Sequence, residues 1–100
     1  MLRTGLRLRS QVCTTEIVVV RQGPEDIDLT CGGHPLVPHD RHGESLEPLD
    51  GLATGTQLGK RYTDTSGELE ILVTKAGTGT LANGKEPLVV KAAKPLPSSD

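Results

Sequence analysis

Two nine-residue stretches of the chain resemble each other: LTCGGHPLV at residues 29–37 and LANGKEPLV at residues 81–89. Leu, Gly, Pro, Leu and Val match between them at one constant offset, which places Leu29 against Leu81. In both stretches a short extended run ends at a Gly-containing turn and is followed by Pro-Leu-Val. Because similarity at a fixed spacing is the signature of repeated structural units, these stretches predict an internal duplication.

The similarity extends upstream of these stretches. The apolar run at 18–20 falls against 71–73 once one residue of slippage is allowed in the turn. Further back, SQVC at 10–13 falls against TDTS at 63–66. A unit of this size cannot bury its own apolar face, so we expect the two copies to pack together as a pseudo-twofold body.

We therefore predict one compact domain over residues 1–100. The connector between the copies is polar, and Leu46, Leu49 and Leu52 recur in it at a spacing that allows one short helical turn. The predicted parts are a first repeat that bears the cysteines, the connector, a second repeat and a flexible tail, at 3–38, 39–57, 58–91 and 92–100.

Composition favours a mostly β fold with short strands. Twelve Gly and seven Pro in 100 residues indicate many turns, and without Phe or Trp the core must be built from Val, Leu and Ile. Asn83-Gly84 is a strong tight-turn dipeptide because both residues tolerate positive φ. Periodicity and β-branched content predict strands at 16–21, 27–31, 58–63, 68–75 and 88–90.

Charge and hydropathy exclude two classes of partner. The net charge of −2 is spread over interspersed signs, whereas a general nucleic-acid surface needs a basic field. For the cluster Arg3, Arg7 and Arg9 we favour a solvated, partly frayed terminus over a binding arm. No apolar run is long enough to span a bilayer, and the first ten residues lack the apolar core of a signal peptide, so we expect a cytoplasmic protein.

The first copy resembles desulforedoxin and the desulforedoxin-like domain at the start of desulfoferrodoxin, which are rubredoxin-like proteins. That family's pattern is C-x-x-C-G, an apolar strand, a Gly-rich turn, then L-x-C-C-G-x-P-M. The matching stretches here are 10–13, 16–21 and 29–36, and the second copy fits through 63–67 and 81–84. The resemblance implies a small β fold for each copy.

The departures from that pattern concern the metal ligands. The family binds one iron through four cysteine thiolates, and in the first copy only Cys13 and Cys31 are thiols. The other two places are taken by Ser10 and Gly32, and all four places of the second copy are taken by Thr63, Ser66, Asn83 and Gly84. A tetrahedral four-thiolate site cannot form within either copy, so we do not expect iron-based electron transfer.

A zinc site is the main alternative. Cys31 and His34 have the C-x-x-H spacing of a metal knuckle, and the resemblance places Cys13 beside Cys31. A fourth ligand would come from His39, with His42 or Asp40 as substitutes, and such a mixed sulfur and nitrogen set suits Zn²⁺. We favour instead two cysteines that are small buried hydrophobes left from an ancestral site. A disulfide, or a four-thiolate site shared by two chains, are further alternatives.

The function we expect is that of a small non-catalytic accessory or interaction protein without a cofactor, whose partner is another protein or a second copy of the chain. Such a protein should expose an apolar patch or strand edge. Catalysis is not expected, because nothing orients a histidine toward a cysteine and Cys31 lies on an apolar strand face. Gly77-Thr78-Gly79 leads into a strand, so it is not a phosphate-binding loop. A cysteine-dependent enzyme or redox protein is the remote alternative.

Overall fold

The computed structural model describes residues 3–24, 26–40 and 45–91, and this part of the chain is all β, with no helix. It contains ten short strands in two antiparallel sheets. The strands are β1 (Arg7–Arg9), β2 (Glu16–Gln22), β3 (Leu29–Cys31), β4 (His34–Pro35), β5 (Val37–Pro38), β6 (Arg61–Thr63), β7 (Leu69–Lys75), β8 (Leu81–Asn83), β9 (Glu86–Pro87) and β10 (Val89–Val90).

The two long strands form the centre of the molecule. The larger sheet has the order β10-β6-β7-β2-β1-β5, in which the seven-residue strands β2 and β7 pair with each other. The smaller sheet has the order β4-β3-β8-β9, with β3 and β8 paired at its centre. In each sheet, therefore, the strands of the first forty residues lie on one side and those of residues 61–90 on the other.

The core is aliphatic, as the composition predicts. Ile17 and Val19 alternate along β2 with half-buried residues, and each is 1% exposed. Across the central pairing they lie opposite Val73 and Ile71, which are equally buried. Tyr62 is the sole aromatic residue of the chain and is also buried. The remaining core members are Leu8, Leu29, Cys31, Leu69, Leu81 and Leu88.

Glycine turns join the strands of the smaller sheet. Gly32 and Gly33 connect β3 to β4 with φ of 65° and 87°, a pair of left-handed conformations that favours glycine at both positions. In the second half Gly84 has φ of 63°, while Asn83 stays in β8 without positive φ. The predicted Asn83-Gly84 turn is therefore displaced by one residue, and Gly84 and Lys85 form it.

One expectation about the irregular segments was wrong, and one structure that the sequence allowed does not form. Residues 7–9 are not frayed but form β1, which lies between β2 and β5 and buries Leu8. In the connector, the spacing of Leu46, Leu49 and Leu52 produces no helical turn; Leu52 N–H donates to the Leu49 carbonyl at 2.9 Å in a single reverse turn. The predicted tail at 92–100 lies outside the described residues. Within the described ranges there is no helix long and apolar enough to cross a bilayer.

Candidate functional site at the cysteine pair

The loop between β1 and β2 positions the first cysteine. Ser10 is 2% exposed, and its hydroxyl oxygen accepts hydrogen bonds from the N–H groups of Val12 at 3.0 Å and Cys13 at 3.2 Å. The Ser10 N–H donates to the Thr15 carbonyl at 2.9 Å, which closes the loop. This turn leaves Cys13 half-buried and places its sulfur toward strand β3.

The two sulfur atoms lie side by side. Cys13 Sγ is 3.9 Å from Cys31 Sγ, 3.4 Å from Ser10 Oγ and 3.1 Å from Thr15 Oγ1. Cys31 belongs to β3 and is 0% exposed, and both cysteines are free thiols. Ser10, Cys13 and Cys31, which the resemblance assigned to ligand places, are thus brought together. Because Cys31 is fully enclosed, a four-thiolate site shared by two chains is not supported.

A glycine segment from the second half covers the sulfurs. The Gly79 N–H donates to Cys13 Sγ at 3.3 Å. A Cβ atom at Gly79 would lie 2.8 Å from Cys31 Sγ, and one at Gly77 would lie 2.6 Å from Cys13 Sγ. Both glycines are therefore needed for close approach, a role that sequence reasoning missed. Neither glycine has positive φ, in contrast to the turn glycines. A side chain is excluded at Gly77 and Gly79 because it would collide with the sulfurs.

The connector also contributes to the site. Thr56 Oγ1 lies 3.0 Å from Thr15 Oγ1 and accepts a hydrogen bond from the Gly77 N–H at 2.9 Å. A chain of hydroxyls thus runs from the Cys13 sulfur through Thr15 to Thr56 and on to the backbone of the second half. Nothing in the local sequence marks Thr56, because its neighbours in the site are 20 or more residues away.

The two thiols have opposite pKa shifts. At Cys13 burial raises the pKa, but hydrogen bonds with the Ser10 and Thr15 hydroxyls and with the Gly79 N–H outweigh it and bring the value to about 7. At Cys31 burial raises the pKa to about 12, and the neighbouring Cys13 sulfur adds to this effect. At neutral pH Cys13 is therefore the thiol that ionises, while Cys31 stays protonated.

Of the two thiols, Cys13 lines a cavity, whereas Cys31 is 0% exposed. The cavity has a volume of about 130 Å³ and is partly open to solvent. Lys75 lines it and forms an ion pair with Glu16 at 3.4 Å. The remaining lining residues are Arg9, Thr14 and Thr15.

Of the histidines proposed as zinc ligands, His34 and His39 are described, and neither forms a ligand group with the two cysteines. His34 lies opposite Cys31 in the β3–β4 hairpin, but its Nε2 is 2.9 Å from the Glu47 carbonyl oxygen, so the ring is engaged there. His39 lines a different cavity, beside Arg7. Asp40 is exposed in the segment after β5, and His42 lies outside the described residues.

The sulfur spacing by itself suits a metal. Two thiolates on tetrahedral zinc, with Zn–S near 2.3 Å, lie about 3.8 Å apart, close to the 3.9 Å observed. Further ligands are missing, however, since the described residues contain no group of three or more His, Cys, Asp and Glu that could hold an ion.

At the corresponding turn of the second half, a carboxylate organises the backbone. Asp64 accepts the Ser66 hydroxyl at 2.7 Å and the Leu69 N–H at 3.1 Å. Burial raises the Asp64 pKa, but these hydrogen bonds outweigh it and lower the value. Asn83 accepts the Asp28 N–H at 2.9 Å through its side-chain oxygen. The polar side chains at this end are thus used for turns and strand ends.

Compared with protein-family models, with curated proteins and with solved structures, the chain matches none. The resemblance to desulforedoxin therefore stays a prediction from the sequence motifs.

Proposed function

We propose that this chain is a non-catalytic accessory or interaction protein, built from two degenerate tandem copies of a desulforedoxin-like unit that no longer binds iron. The central pairings support the duplication. Val18 lies opposite Leu72 in the larger sheet, and Thr30 lies opposite Ala82 in the smaller one. A twofold axis between copies must pass between equivalent residues. Thr30 and Ala82 are equivalent at the offset that places Leu29 against Leu81, and Val18 and Leu72 are equivalent once the upstream alignment is shifted by one residue.

The outer pairings repeat in the same register. Leu8 lies opposite Ile17 in the first half, as Tyr62 lies opposite Ile71 in the second. In the smaller sheet, Thr30 faces Pro35 as Ala82 faces Pro87. This register favours a different alignment of the two copies upstream from the one predicted by sequence. It requires one further residue of slippage and makes Asp64 the equivalent of Ser10.

The main support for the loss of iron binding is the set of side chains around the cysteine pair that could act as metal ligands. Two cysteine sulfurs are present, but the Ser10 oxygen already accepts two backbone N–H groups, and Gly32 has no side chain. A thiolate site for iron requires four sulfur donors, so the scaffold persists while its metal chemistry does not. Two free thiols also agree with the cytoplasmic location that we propose.

The surface that we assign to a partner is the β10 edge of the larger sheet. Val89 and Val90 form this edge strand and are 57% and 41% exposed. At the opposite edge, β5 ends in Pro38, which has no N–H to offer an added strand. An exposed apolar edge strand is a template for pairing with another chain.

The test of this function is elemental analysis of the purified, untagged protein, with free thiols counted in the same sample. We expect no stoichiometric metal and two free thiols. Stoichiometric zinc that is lost together with the fold in Cys31→Ala or His34→Ala would establish the structural zinc module instead. Light scattering of the wild type and Val89→Lys tests the edge, with Leu58→Lys, another exposed apolar position, as control. An oligomer that persists in Val89→Lys would place the contact elsewhere.

A further inference from the structure

The geometry of Cys13 and Cys31 allows a disulfide bond to form between them. The sulfurs are 3.9 Å apart, and a disulfide requires about 2.05 Å, so one sulfur must move by about 2 Å. Cys31 is held in β3, which pairs with β4 on one side and β8 on the other. Cys13 lies in the loop at 10–15, which belongs to no strand, so it is the residue that can move.

The two sulfurs also differ in access. Cys13 lines the cavity of about 130 Å³, whereas Cys31 is 0% exposed and lies behind it with its sulfur 3.9 Å from that of Cys13. The order of reaction follows: an oxidant must meet Cys13 first, and Cys31 can then attack only the modified Cys13. The cavity volume admits a molecule of a few heavy atoms beside the Cys13 sulfur.

The groups around Cys13 favour its reactive form. The Gly79 N–H and the Thr15 hydroxyl lie 3.3 and 3.1 Å from the sulfur, and both can donate to a thiolate. The pKa values of about 7 for Cys13 and about 12 for Cys31 agree with this division of roles. A thiolate next to a buried resolving thiol is the arrangement of a redox-sensitive cysteine.

We propose that Cys13 and Cys31 form a reversible redox couple that hydrogen peroxide converts to an intramolecular disulfide. The Cys13 thiolate attacks one peroxide oxygen, the O–O bond breaks, and hydroxide leaves; it takes the proton that the Cys13 thiol released and becomes water. Cys13 is then a sulfenic acid. The Cys31 sulfur attacks Cys13, the S–O bond breaks, and hydroxide leaves with the Cys31 proton as a second water. The peroxide is reduced by two electrons from the two thiols, and an external dithiol restores them by exchange.

The test uses the full chain, fully reduced and then exposed to hydrogen peroxide. We expect both thiols to disappear together in a monomer, with a mass lower by about 2 Da, and to return with dithiothreitol. Cys31→Ala should stop at a Cys13 sulfenic acid that dimedone captures, and Cys13→Ala should leave Cys31 reduced. Glutathione disulfide, which is too large for the cavity, should react at least about tenfold more slowly than peroxide at equal concentration.

Three results would overturn the proposal. Both thiols could persist under peroxide that oxidises free cysteine, the product could be a disulfide between chains, or Cys31 could react before Cys13. If Cys31→Ala does not fold, timed alkylation and peptide mapping of the wild type still decide the order of reaction. Equal rates with glutathione disulfide would refute the part of the proposal that selects a small oxidant.

Discussion

Replacing Gly79 by alanine tests whether the second half of the chain packs against the sulfurs. The added Cβ would lie 2.8 Å from Cys31 Sγ, 2.9 Å from Val12 Cγ2 and 3.3 Å from the Gly32 nitrogen. Ordinary contacts between nonbonded heavy atoms are about 3.5–4.0 Å, so the sulfur and the methyl group must each yield by roughly 0.6 Å or more. Cys31 is fixed in β3, which leaves little room for this adjustment.

The sign of the change in the free energy of unfolding shows whether the added methyl group of Gly79→Ala meets a clash. Gly79 does not have positive φ, so without a clash the alanine would stabilise the fold by about 0.4–1 kcal/mol through the unfolded chain. With the clash, we expect a loss of about 1–3 kcal/mol in the free energy of unfolding. For a chain of this size each kcal/mol corresponds to about 4–8 °C in Tm.

Urea unfolding followed by far-UV circular dichroism measures this change, because the chain has no Trp. The rate at which a thiol reagent labels Cys13 in the native protein should change in the same variant. Gly67→Ala is the control: its Cβ would meet no atom within 4 Å, but its φ of 76° strains an alanine. It should destabilise without altering the labelling rate. A Gly79→Ala protein that is more stable than the wild type, with unchanged labelling, would refute the packing described here.

Three further predictions concern charged groups. Glu70→Gln should lower the free energy of unfolding by about 1–2 kcal/mol at low salt, because a carboxylate that is only 4% exposed loses its charge beside two cationic partners. The control Glu16→Gln removes one looser ion pair and should change it by no more than about 0.5 kcal/mol. Equal losses for the two variants in urea unfolding would contradict this prediction. The folded-state pKa of Asp64 lies below its unfolded value, so its stabilisation is complete above about pH 4 and is lost as the pH falls through the folded pKa; an Asp64→Asn protein should therefore show a shallower acid decline in Tm. The alkylation rate of Cys13 should rise with pH around a midpoint of about 7, and a midpoint near the ordinary value of 9.0 would show that the hydrogen bonds to its sulfur are absent.

Half of the ten strands could be predicted because their signals are local. The β-branched run that begins at Glu16 becomes β2, and the alternation from Leu69 to Val73 becomes β7. β1 could not be predicted, because Arg7-Leu8-Arg9 is too short for its alternation to be distinguished from a loop. It forms a strand only because β2 and β5 pair with it, and those partners are distant in sequence.

The candidate site could likewise be predicted only in part. The proximity of Cys13 and Cys31 was predicted through the family resemblance, not through their spacing. The glycines at 77 and 79 were noted in the sequence only to exclude a phosphate loop. Their contact with the sulfurs depends on how the second half packs on the first, over a separation of 66 residues for the Gly79 bond to Cys13, and no local pattern encodes that.

The pairing of β2 with β7 has a consequence for how the chain acquires its structure during synthesis. A chain made from its amino end completes β2 roughly fifty residues before β7. During that interval β2 has a bare hydrogen-bonding edge that carries a run of valines, which is an aggregation hazard. Pairing over so long a separation is also slow, so we expect folding within milliseconds to seconds and only after residue 75 is available. A truncated first half should therefore associate with other chains rather than persist as a folded monomer.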